Sequence, residues 1–312
     1  MARPLRFIPP DSLVEITTRT FQGRLLLRPS PELTDLLIGV IGRAQDLYKM
    51  TIHAFVVVST HAHFLVSPSS AQQLACFMRF VNANMAKQAG RLHGWPERVW
   101  SRRYRAICVV DDEAAFARMR YLLAHGAKEG LVSSSGAWPG PNCVAALTHA
   151  DILRGTWFDR SALYRARAAG KEVQLGDFAT TYEVTLTPLP CLVHMEAEQR
   201  QAHYRHVVGE IDNAADVENQ VRGRTPMGIQ AILEQDPHRR PAAVKRSPAP
   251  PVHAHDKNKR VEYLTAYREF VVNFRAAAAI LVAKAKQIAD LFPNWAFPPA
   301  LPFKAAAPPV AP

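Results

Sequence analysis

The first 132 residues alternate between two kinds of hydrophobic pattern. Short runs rich in β-branched and aromatic residues predict strands over 12–21, 51–58, 61–68 and 104–110. Apolar residues at helical spacing predict helices over 31–49, 71–92 and 111–126. Ser30-Pro31 marks the start of the first helix, and the third begins with acidic residues and ends at Gly126.

This order of elements, β-α-β-β-α-β-α, predicts an α+β fold. It is typical of the ferredoxin-like, split βαβ core, which has an antiparallel sheet, with one helix added after the last strand. The added helix carries Tyr121. We therefore expect a first domain over residues 1–135 and a separate C-terminal extension over 136–312.

The C-terminal extension differs from the first domain in composition and in predicted secondary structure. Residues 133–142 have the composition of a loop, and 143–235 are predicted to be mostly helical. Residues 236–260 are rich in proline and basic side chains, which predicts an extended segment, and a further helix is expected over 260–291. The tail 292–312 is too rich in proline for regular structure. The basic side chains of this segment either bind DNA outside the site or belong to a solvated linker. They are Arg239, Arg240, Lys245 and Arg246.

The amino-acid composition limits the kinds of binding partner that are expected for this protein. The formal net charge of +11 and the pI near 9.7 favour a polyanion, either nucleic acid or an anionic membrane surface, although a basic protein can also lack such a partner. No apolar run approaches the roughly 20 residues of a membrane helix, so no membrane partner is expected. The N-terminus lacks an apolar signal segment. The cysteines are scattered singly, which argues against a zinc ribbon or disulfides and favours a cytoplasmic protein: Cys76, Cys108, Cys143 and Cys191.

Two histidines interrupt the apolar strand 61–68. His61 and His63 stand at i and i+2, so their side chains project from the same face of the strand. Two imidazoles on one rigid strand form half of a site for a divalent metal such as Mg²⁺, Mn²⁺ or Zn²⁺. The alternative is a partly buried, hydrogen-bonded pair of structural histidines.

A tyrosine and a third histidine lie on the helix 111–126. Tyr121 and His125 are spaced i, i+4 and share one face of it. A phenol with an ordinary pKa of roughly 10 is a poor nucleophile, but a metal that polarises the electrophile makes it competent. Near the histidine pair, this spacing predicts a nucleophile beside a third possible metal ligand. Alternatively, Tyr121 packs in the core with Met119 and Leu122.

Residues 97–106 interleave arginines with aromatic side chains. Arginine binds phosphates bidentately, and aromatic rings offer stacking surfaces for unpaired bases. The segment therefore predicts contacts with single-stranded or hairpin nucleic acid, with a solvated basic loop as the alternative. The side chains concerned are Arg98, Trp100, Arg102, Arg103, Tyr104 and Arg105.

The order of these motifs resembles the REP-associated tyrosine transposases, a group of the HUH single-tyrosine transposases. That family reads Pro-Asn-His-hydrophobic-His-hydrophobic where this chain has STHAHF at 59–64, and Trp-x-x-Arg-Phe/Tyr where it has WSRRY at 100–104. Its Arg-Tyr-Ile-x-x-Asn-Pro motif, followed by Gly-hydrophobic-Val, appears as RYLLAHG at 120–126 and GLV at 130–132. The resemblance covers about residues 12–132.

The resemblance implies a specific chemistry. Tyr121 attacks a phosphodiester of single-stranded DNA, often near a hairpin, and forms a 5′-phosphotyrosine link while freeing a 3′-hydroxyl. His61 and His63 hold the Mg²⁺ or Mn²⁺ cofactor, His125 is a further candidate ligand, and Arg120 joins the DNA-contacting residues. Such a protein works as a monomer or a homodimer.

Three departures from the family pattern bear on the site. Ser59-Thr60 replaces Pro-Asn, Ala62 is small for its hydrophobic position, and His125-Gly126 replaces Asn-Pro. Histidine ligates metals at least as well as asparagine, so the last change affects the metal preference. Two other functions stay open: a transposase relative that binds hairpins without cutting, and a ferredoxin-like RNA-binding module. The complete set of His61, His63 and Tyr121 favours the enzyme, and the RNA-binding sequence motifs are missing.

Overall fold

Four strands form one antiparallel sheet in the computed structural model, which describes residues 5–241 and 249–289. They are β1 (Leu13–Arg19), β2 (Thr51–Val58), β3 (His61–Ser67) and β4 (Arg105–Val109). Their spatial order is β2-β3-β1-β4, and each neighbouring pair is antiparallel. The connecting helices are α1 (Pro31–Tyr48), α2 (Ala71–Leu92) and, after β4, α3 (Asp112–Leu123). This order and pairing confirm the predicted ferredoxin-like core with its added helix.

Local sequence signals explain where the helices start. The Ser30 hydroxyl accepts a hydrogen bond from the amide of Leu33, and Pro31 occupies the first turn of α1. Asp111 accepts one from the amide of Ala114 and begins α3. At the end of α3, Ala124 keeps nearly helical backbone angles, and a short helix α4 (His125–Lys128) follows at once. The i, i+4 relation across this junction is therefore preserved.

One face of the sheet is an apolar core. Phe55 of β2 stacks on Phe64 of β3 with ring centroids 6.2 Å apart, and Phe64 meets the edge of Phe77 from α2 at 6.3 Å. All three side chains are fully buried. Helices α1 and α2 pack together on this side of the sheet. Removing this much aromatic area from water supplies a large part of the free energy of folding.

Helices α3 and α4 pack on the opposite face, against β2 and β3. They are covered in turn by elements from later in the chain, above all the long helix α7 (Ala197–Val221). The shorter helices of this part of the chain are α5 (Val144–His149), α6 (Arg160–Ala168) and α8 (Ile229–Leu233). Helix α7 contacts α3, α4 and α5. The predicted loop 133–142 packs along β2, where the Trp138 indole donates a hydrogen bond to the Val57 carbonyl. The added helix is thus an inner layer.

The region predicted to be mostly helical also contains a two-stranded antiparallel sheet. Strands β5 (Leu153–Phe158) and β6 (Ala179–Val184) pair with each other and pack on α1. Two glycines make this close approach possible. A Cβ atom built on Gly39 of α1 would lie 2.2 Å from the Thr156 carbonyl oxygen, and one on Gly155 would lie 2.3 Å from the Asp35 carbonyl oxygen. Backbone meets backbone here, so neither position has space for a side chain.

The described residues divide into two compact units. Ile8–Val261 form the larger one, which contains both sheets; the described part of the smaller one comprises residues 5–7 and 262–289, mostly in helix α9 (Lys257–Ala289). In the smaller unit Phe7 packs against Tyr263 and Phe270. The domain boundary predicted at residue 135 falls within the larger unit and remains a prediction.

Several expectations for the C-terminal part lie outside the described residues. They concern Lys245, Arg246, the last residues of the helix predicted over 260–291, and the tail 292–312. The described part of that helix agrees with α9. None of the helices in the described ranges combines the length and the apolar character that crossing a membrane requires.

Candidate active site

Three histidines converge on one point between the sheet and α4. His61 and His63 project from β3, and His125 stands at the start of α4. One nitrogen of each ring lies within 4.8 Å of a nitrogen of the other two. The centroid of the His63 ring is 5.0 Å from that of His61 and 4.6 Å from that of His125. The i, i+2 pair and the helix histidine predicted from the sequence are therefore brought together.

Hydrogen bonds fix the tautomers of two of these rings. His125 Nδ1 lies 3.0 Å from the Tyr121 carbonyl oxygen, which can only accept, so Nδ1 carries the proton. His63 Nδ1 lies 3.2 Å from Oε1 of Glu15 and 3.1 Å from the Thr17 hydroxyl. Donation from Nδ1 to the carboxylate leaves the Nε2 lone pair free. Both Nε2 atoms are therefore in the form that binds a metal.

The remaining ring nitrogens are arranged so that they could bind a cation. His61 Nδ1 lies 2.8 Å from the Thr60 hydroxyl, and its Nε2 lies 3.1 Å from Nε2 of His125. His61 can donate a proton across that gap or, with its proton on Nδ1, present a third lone pair. In the described part of the chain, His63 Nε2 is buried without a hydrogen-bond partner. A buried, orphaned acceptor beside two further imidazoles fits a divalent metal.

Burial keeps two histidines of the site, His61 and His125, neutral. Desolvation lowers the pKa of His125 to about 3, and the neighbouring His63 acts in the same direction. Desolvation, followed by the proximity of His63 and His125, lowers the pKa of His61 well below 6.5. Neutral imidazole is the metal-binding form, so no proton competes for these ligands at neutral pH.

A buried carboxylate supports the cluster from β1. Glu15 is only 4% exposed, and its Oε2 lies 2.7 Å from His253 Nε2 and 3.7 Å from the Arg118 guanidinium. Burial alone would raise its pKa, but the contacts with His253 and His63 outweigh burial and hold the pKa well below its usual value. Glu15 is thus an ionised acceptor with a cationic or donating group on each side.

Tyr121 stands beside the histidines and reaches solvent. Its ring centroid is 4.6 Å from that of His125 and 5.5 Å from that of His63, and the side chain is partly exposed. Two cations lie over the ring: the guanidinium carbon of Arg118 is 5.0 Å from its centroid and the Lys128 ammonium is 5.4 Å away. The alternative of a tyrosine sealed in the core does not describe this position.

The tyrosine is protonated at neutral pH. Burial raises the pKa of Tyr121, the charges of Glu15 and Glu129 raise it further, and Arg19 and Arg118 oppose them. The phenol therefore carries its proton until a reaction removes it.

The aromatic members of the basic segment are partly used for packing. The Trp100 indole donates a hydrogen bond to the Asn82 carbonyl at 2.7 Å, and Tyr104 is buried. The guanidinium of Arg98 stacks 4.2 Å above the Phe21 ring. The structure thus anchors the segment to α2 and to the end of β1, which sets the position of the arginines between the two aromatic residues.

The remaining predicted DNA-contacting residues are all exposed to solvent. Arg102, Arg103 and Arg105 are exposed, and Arg105 begins β4. Arg120 is exposed too, but it forms an ion pair with Glu210 of α7. That hydrogen bond lowers the pKa of the Glu210 carboxyl. The DNA-binding role of these four residues stays a prediction.

The sequence patterns did not reveal Glu15, Thr17 and Arg118 as parts of the site. A signal for the first two was present, because polar residues alternate along β1 at positions 15, 17 and 19. In the antiparallel register Thr17 faces His63 and Arg19 faces His61, so the polar face of β1 continues the histidine face of β3. Arg118 gave no such signal, since its role depends on how α3 is placed.

Comparison with known proteins gives several similar structures. One is a REP-associated tyrosine transposase bound to a REP hairpin, with 18% identity and a TM-score of 0.39, covering 46% of this chain and 82% of the other. Another is a protein assigned as a transposase from Deinococcus radiodurans R1, with 13% identity and a TM-score of 0.29, covering 40% of this chain and 97% of the other. No protein-family model and no curated protein matches the chain. Likeness at this level assigns no residue, so the roles below depend on this chain's own side chains.

Proposed function

We propose that the protein is a metal-dependent transposase that cuts and rejoins single-stranded, hairpin-bearing DNA through Tyr121. The observation that carries this proposal is the arrangement of His61, His63 and His125, whose ring nitrogens converge beside a partly exposed tyrosine. A structural histidine pair would not account for a third imidazole whose ring nitrogens converge with those of the pair. A pure binding protein would not need a nucleophile flanked by cations.

The donor set bears on the choice of metal. Mg²⁺ prefers oxygen ligands and dehydrates reluctantly, whereas imidazole suits the transition metals. Three imidazoles therefore fit Zn²⁺ best and Mn²⁺ better than Mg²⁺, and His125 is the ligand that moves the preference in this direction. When bound, such an ion polarises a phosphoryl oxygen and stabilises the charge of the transition state.

Tyr121 supplies the bond-forming atom. Its phenolic oxygen attacks the phosphorus of the scissile phosphodiester, and its proton passes to solvent, which the partly exposed side chain reaches. The P–O3′ bond breaks, the departing 3′-oxygen takes up a proton, and the 5′-phosphate stays on the tyrosine. Attack by a 3′-hydroxyl reverses these steps and rejoins the strand, so no external energy source is required.

Cations around Tyr121 hold the phosphate in place. Arg118 and Lys128 lie over the tyrosine ring and are within reach of a phosphodiester presented to it. The exposed Arg102, Arg103 and Arg105 extend the basic surface along the segment that leads into β4. Arginine binds backbone phosphates of unpaired strands without regard to sequence, which suits a loop or the base of a hairpin.

The test is incubation with hairpin-bearing single-stranded oligonucleotides and Mg²⁺, Mn²⁺ or Zn²⁺, followed by denaturing gels. We expect a covalent protein–DNA adduct with Mn²⁺ or Zn²⁺ that disappears in Tyr121→Phe and in His63→Ala. Tyr164→Phe is a matched control, because that tyrosine is exposed and lies on α6. Tight hairpin binding without an adduct under any of these metals would instead support the non-cleaving DNA-binding protein.

A further inference from the structure

A short segment from far along the chain extends the sheet beside the candidate site. Residues 252–256, here called the C-terminal clasp, lie along β4, the last strand in the order β2-β3-β1-β4. The His253 amide donates to the Cys108 carbonyl at 2.9 Å, and the Val110 amide donates to the His253 carbonyl at 3.1 Å. Val252 is buried. The clasp is therefore held by backbone pairing as well as by apolar contact.

The clasp also holds the start of the tyrosine helix. Asp111 uses Oδ1 to accept from the Ala114 amide at 2.7 Å, which caps α3. Its Oδ2 accepts from the amides of His255 at 2.7 Å and Asp256 at 3.0 Å. One buried carboxylate thus connects the clasp to the helix that carries Tyr121.

A chain of three side chains then leads from the clasp into the metal site. His253 Nε2 lies 2.7 Å from Oε2 of Glu15, and Oε1 of the same carboxylate lies 3.2 Å from His63 Nδ1. The side chains of all three residues are at most 13% exposed. His63 Nε2, at the far end of this chain, is buried and has no hydrogen-bond partner among the described residues.

We propose that His253 is a positioning residue of the metal site, acting through Glu15 on the orientation and tautomer of His63. This inference rests on the proposed function, because it presumes that His63 holds a metal. It goes further by assigning a role to a residue well outside the region that carries the family resemblance. Residues 12–132 then form an incomplete site without the clasp.

The geometry gives His253 a definite task. Without it, the nearest remaining partner of Glu15 Oε2 in the described chain is the Arg118 guanidinium at 3.7 Å. The carboxylate would then turn toward Arg118 to satisfy the freed oxygen, and its other oxygen would leave His63 Nδ1. Carboxylates that support metal-binding histidines in this way raise metal affinity by about 10- to 100-fold.

The experiment compares two substitutions in the full chain. His253→Phe keeps an aromatic ring of similar size but removes the nitrogen that lies against the Glu15 carboxylate, whereas the amide nitrogen of His253→Gln can take the place of Nε2 beside that carboxylate. Mn²⁺ and Zn²⁺ affinities are measured by calorimetry, and the histidine ring nitrogens of the metal-free protein are observed by ¹⁵N NMR. His194→Phe serves as the control, since that histidine is exposed and outside this chain of contacts.

We expect His253→Phe to weaken metal binding by about 10- to 100-fold and to give His63 a mixture of tautomers, while His253→Gln restores both properties. The control should behave like the wild type. Unchanged affinity and an unchanged His63 tautomer in His253→Phe would overturn the proposal. So would equal losses in both variants, because those indicate that the histidine only fills space.

The proposal can be separated from the proposed function. If the wild-type protein binds no metal and forms no adduct, the proposed function fails, yet the NMR spectrum still shows whether His253 sets the His63 tautomer. If His253→Phe does not fold, Glu15→Gln provides the second variant. Its amide retains an acceptor for only one of the two histidines, so it should also release His63 from the Nδ1-protonated tautomer, and a retained tautomer would contradict the proposal.

Discussion

Two neighbouring residues of β3 show how the two faces of the four-stranded sheet differ. Phe64 points into the aromatic core with Phe55 and Phe77, and His63 points into a polar cluster with Glu15 and His125. Both side chains are almost completely buried. One face of the sheet thus buries rings that need no partner, while the other buries groups that each require one.

This difference indicates what each face contributes. Burying aromatic area stabilises the fold directly, whereas burying a carboxylate and three imidazoles costs free energy that hydrogen bonds offset only in part. Among the described residues His63 Nε2 has no hydrogen-bond partner, so the described groups do not fully satisfy the polar face. We infer that the aromatic face holds the fold and that the polar face is kept for binding and chemistry.

The largest expected effect compares these two neighbours. Phe64→Ala should lower the free energy of unfolding by about 3–5 kcal/mol, since it leaves a cavity between the sheet and α2. His63→Ala should cost only about 1–2 kcal/mol, because Glu15 keeps His253 and Arg118 as partners. Chemical denaturation in the presence of a chelator measures both values.

For metal binding we expect the opposite order, with the larger effect from the substitution of His63. His63→Ala should abolish the rise in melting temperature that Mn²⁺ or Zn²⁺ produces in the wild type, and Phe64→Leu should retain it. If His63→Ala destabilised the metal-free protein as much as Phe64→Ala does, the division between the two faces would be wrong.

Acidity should act on the histidines of the polar face, and also on His53 and His93, whose pKa values burial lowers as well. His125 has a folded pKa of about 3 against an ordinary value of 6.5, so in this window the unfolded chain binds a proton that the folded one does not. Stability of the metal-free protein is therefore complete above the ordinary value and falls as pH decreases toward the folded one. The slope is about 1.4 kcal/mol per pH unit for each such group, or about 2 kcal/mol by pH ~5.

His61 acts in the same direction, because its pKa is also lowered. Denaturation curves between about pH 7 and pH 5 measure the slope before most carboxylates titrate. His125→Gln should reduce the slope of stability against pH by the contribution of one titrating group, about 1.4 kcal/mol per pH unit. Phe64→Leu should leave the slope unchanged. An equal slope in the wild type and His125→Gln would mean that His125 is not held neutral by its surroundings.

The sequence predicted the two faces unequally. The β-α-β-β-α-β-α order and the three histidines beside Tyr121 followed from periodicity and spacing, since both signals are local. The polar face of β1 was also visible in the alternation of Glu15, Thr17 and Arg19, but only the register against β3 shows that it joins the histidines. A register is set by long-range pairing, which a single sequence does not display.

The second half of the chain was harder to predict for a physical reason. Strand β6, ATTYEV, has a composition typical of a strand, yet it forms only because the glycines of α1 and β5 let the backbones approach. The clasp lies in a segment whose prolines and charges predicted an extended conformation. That conformation is the one that pairs with the edge of a sheet, but its composition gives no indication of which edge.

A third prediction concerns a substitution away from the candidate metal site, which should change the stability of the protein but not its metal affinity. Gly39→Ala places a methyl group 2.2 Å from the Thr156 carbonyl oxygen, so β5 has to move away from α1. We expect a loss of about 1–3 kcal/mol in the free energy of unfolding, with metal affinity unchanged. Denaturation and calorimetry on the same preparation measure the two quantities.

Gly209→Ala on α7 is the matched control. A Cβ atom at Gly209 meets nothing within 4 Å, so alanine should stabilise the helix by about 0.5–1 kcal/mol. If both substitutions stabilised the protein, the close packing of β5 on α1 would be disproved. If Gly39→Ala weakened metal binding, the packing of β5 and β6 on α1 would be coupled to the polar face of the four-stranded sheet.

The smallest expected effect on stability concerns the surface of the polar side. Arg120 and Glu210 form an exposed ion pair between α3 and α7, and exposed pairs contribute little to folding. Glu210→Gln should therefore leave the unfolding curve almost unchanged. It should, however, free the Arg120 guanidinium and remove the negative charge beside it, so hairpin DNA should bind more tightly at low salt.

Salt dependence decides whether Arg120 contacts DNA. If it does, Arg120→Gln should reduce the slope of log affinity against log salt by somewhat less than one, and Glu210→Gln should have no effect in that background. If Glu210 only repels DNA at long range, its substitution should tighten binding to the same extent with and without Arg120. Filter binding over a salt series distinguishes these results. An effect of Glu210→Gln that depends on Arg120 would place the DNA across α3, on the same side of the sheet as Tyr121 and the histidines.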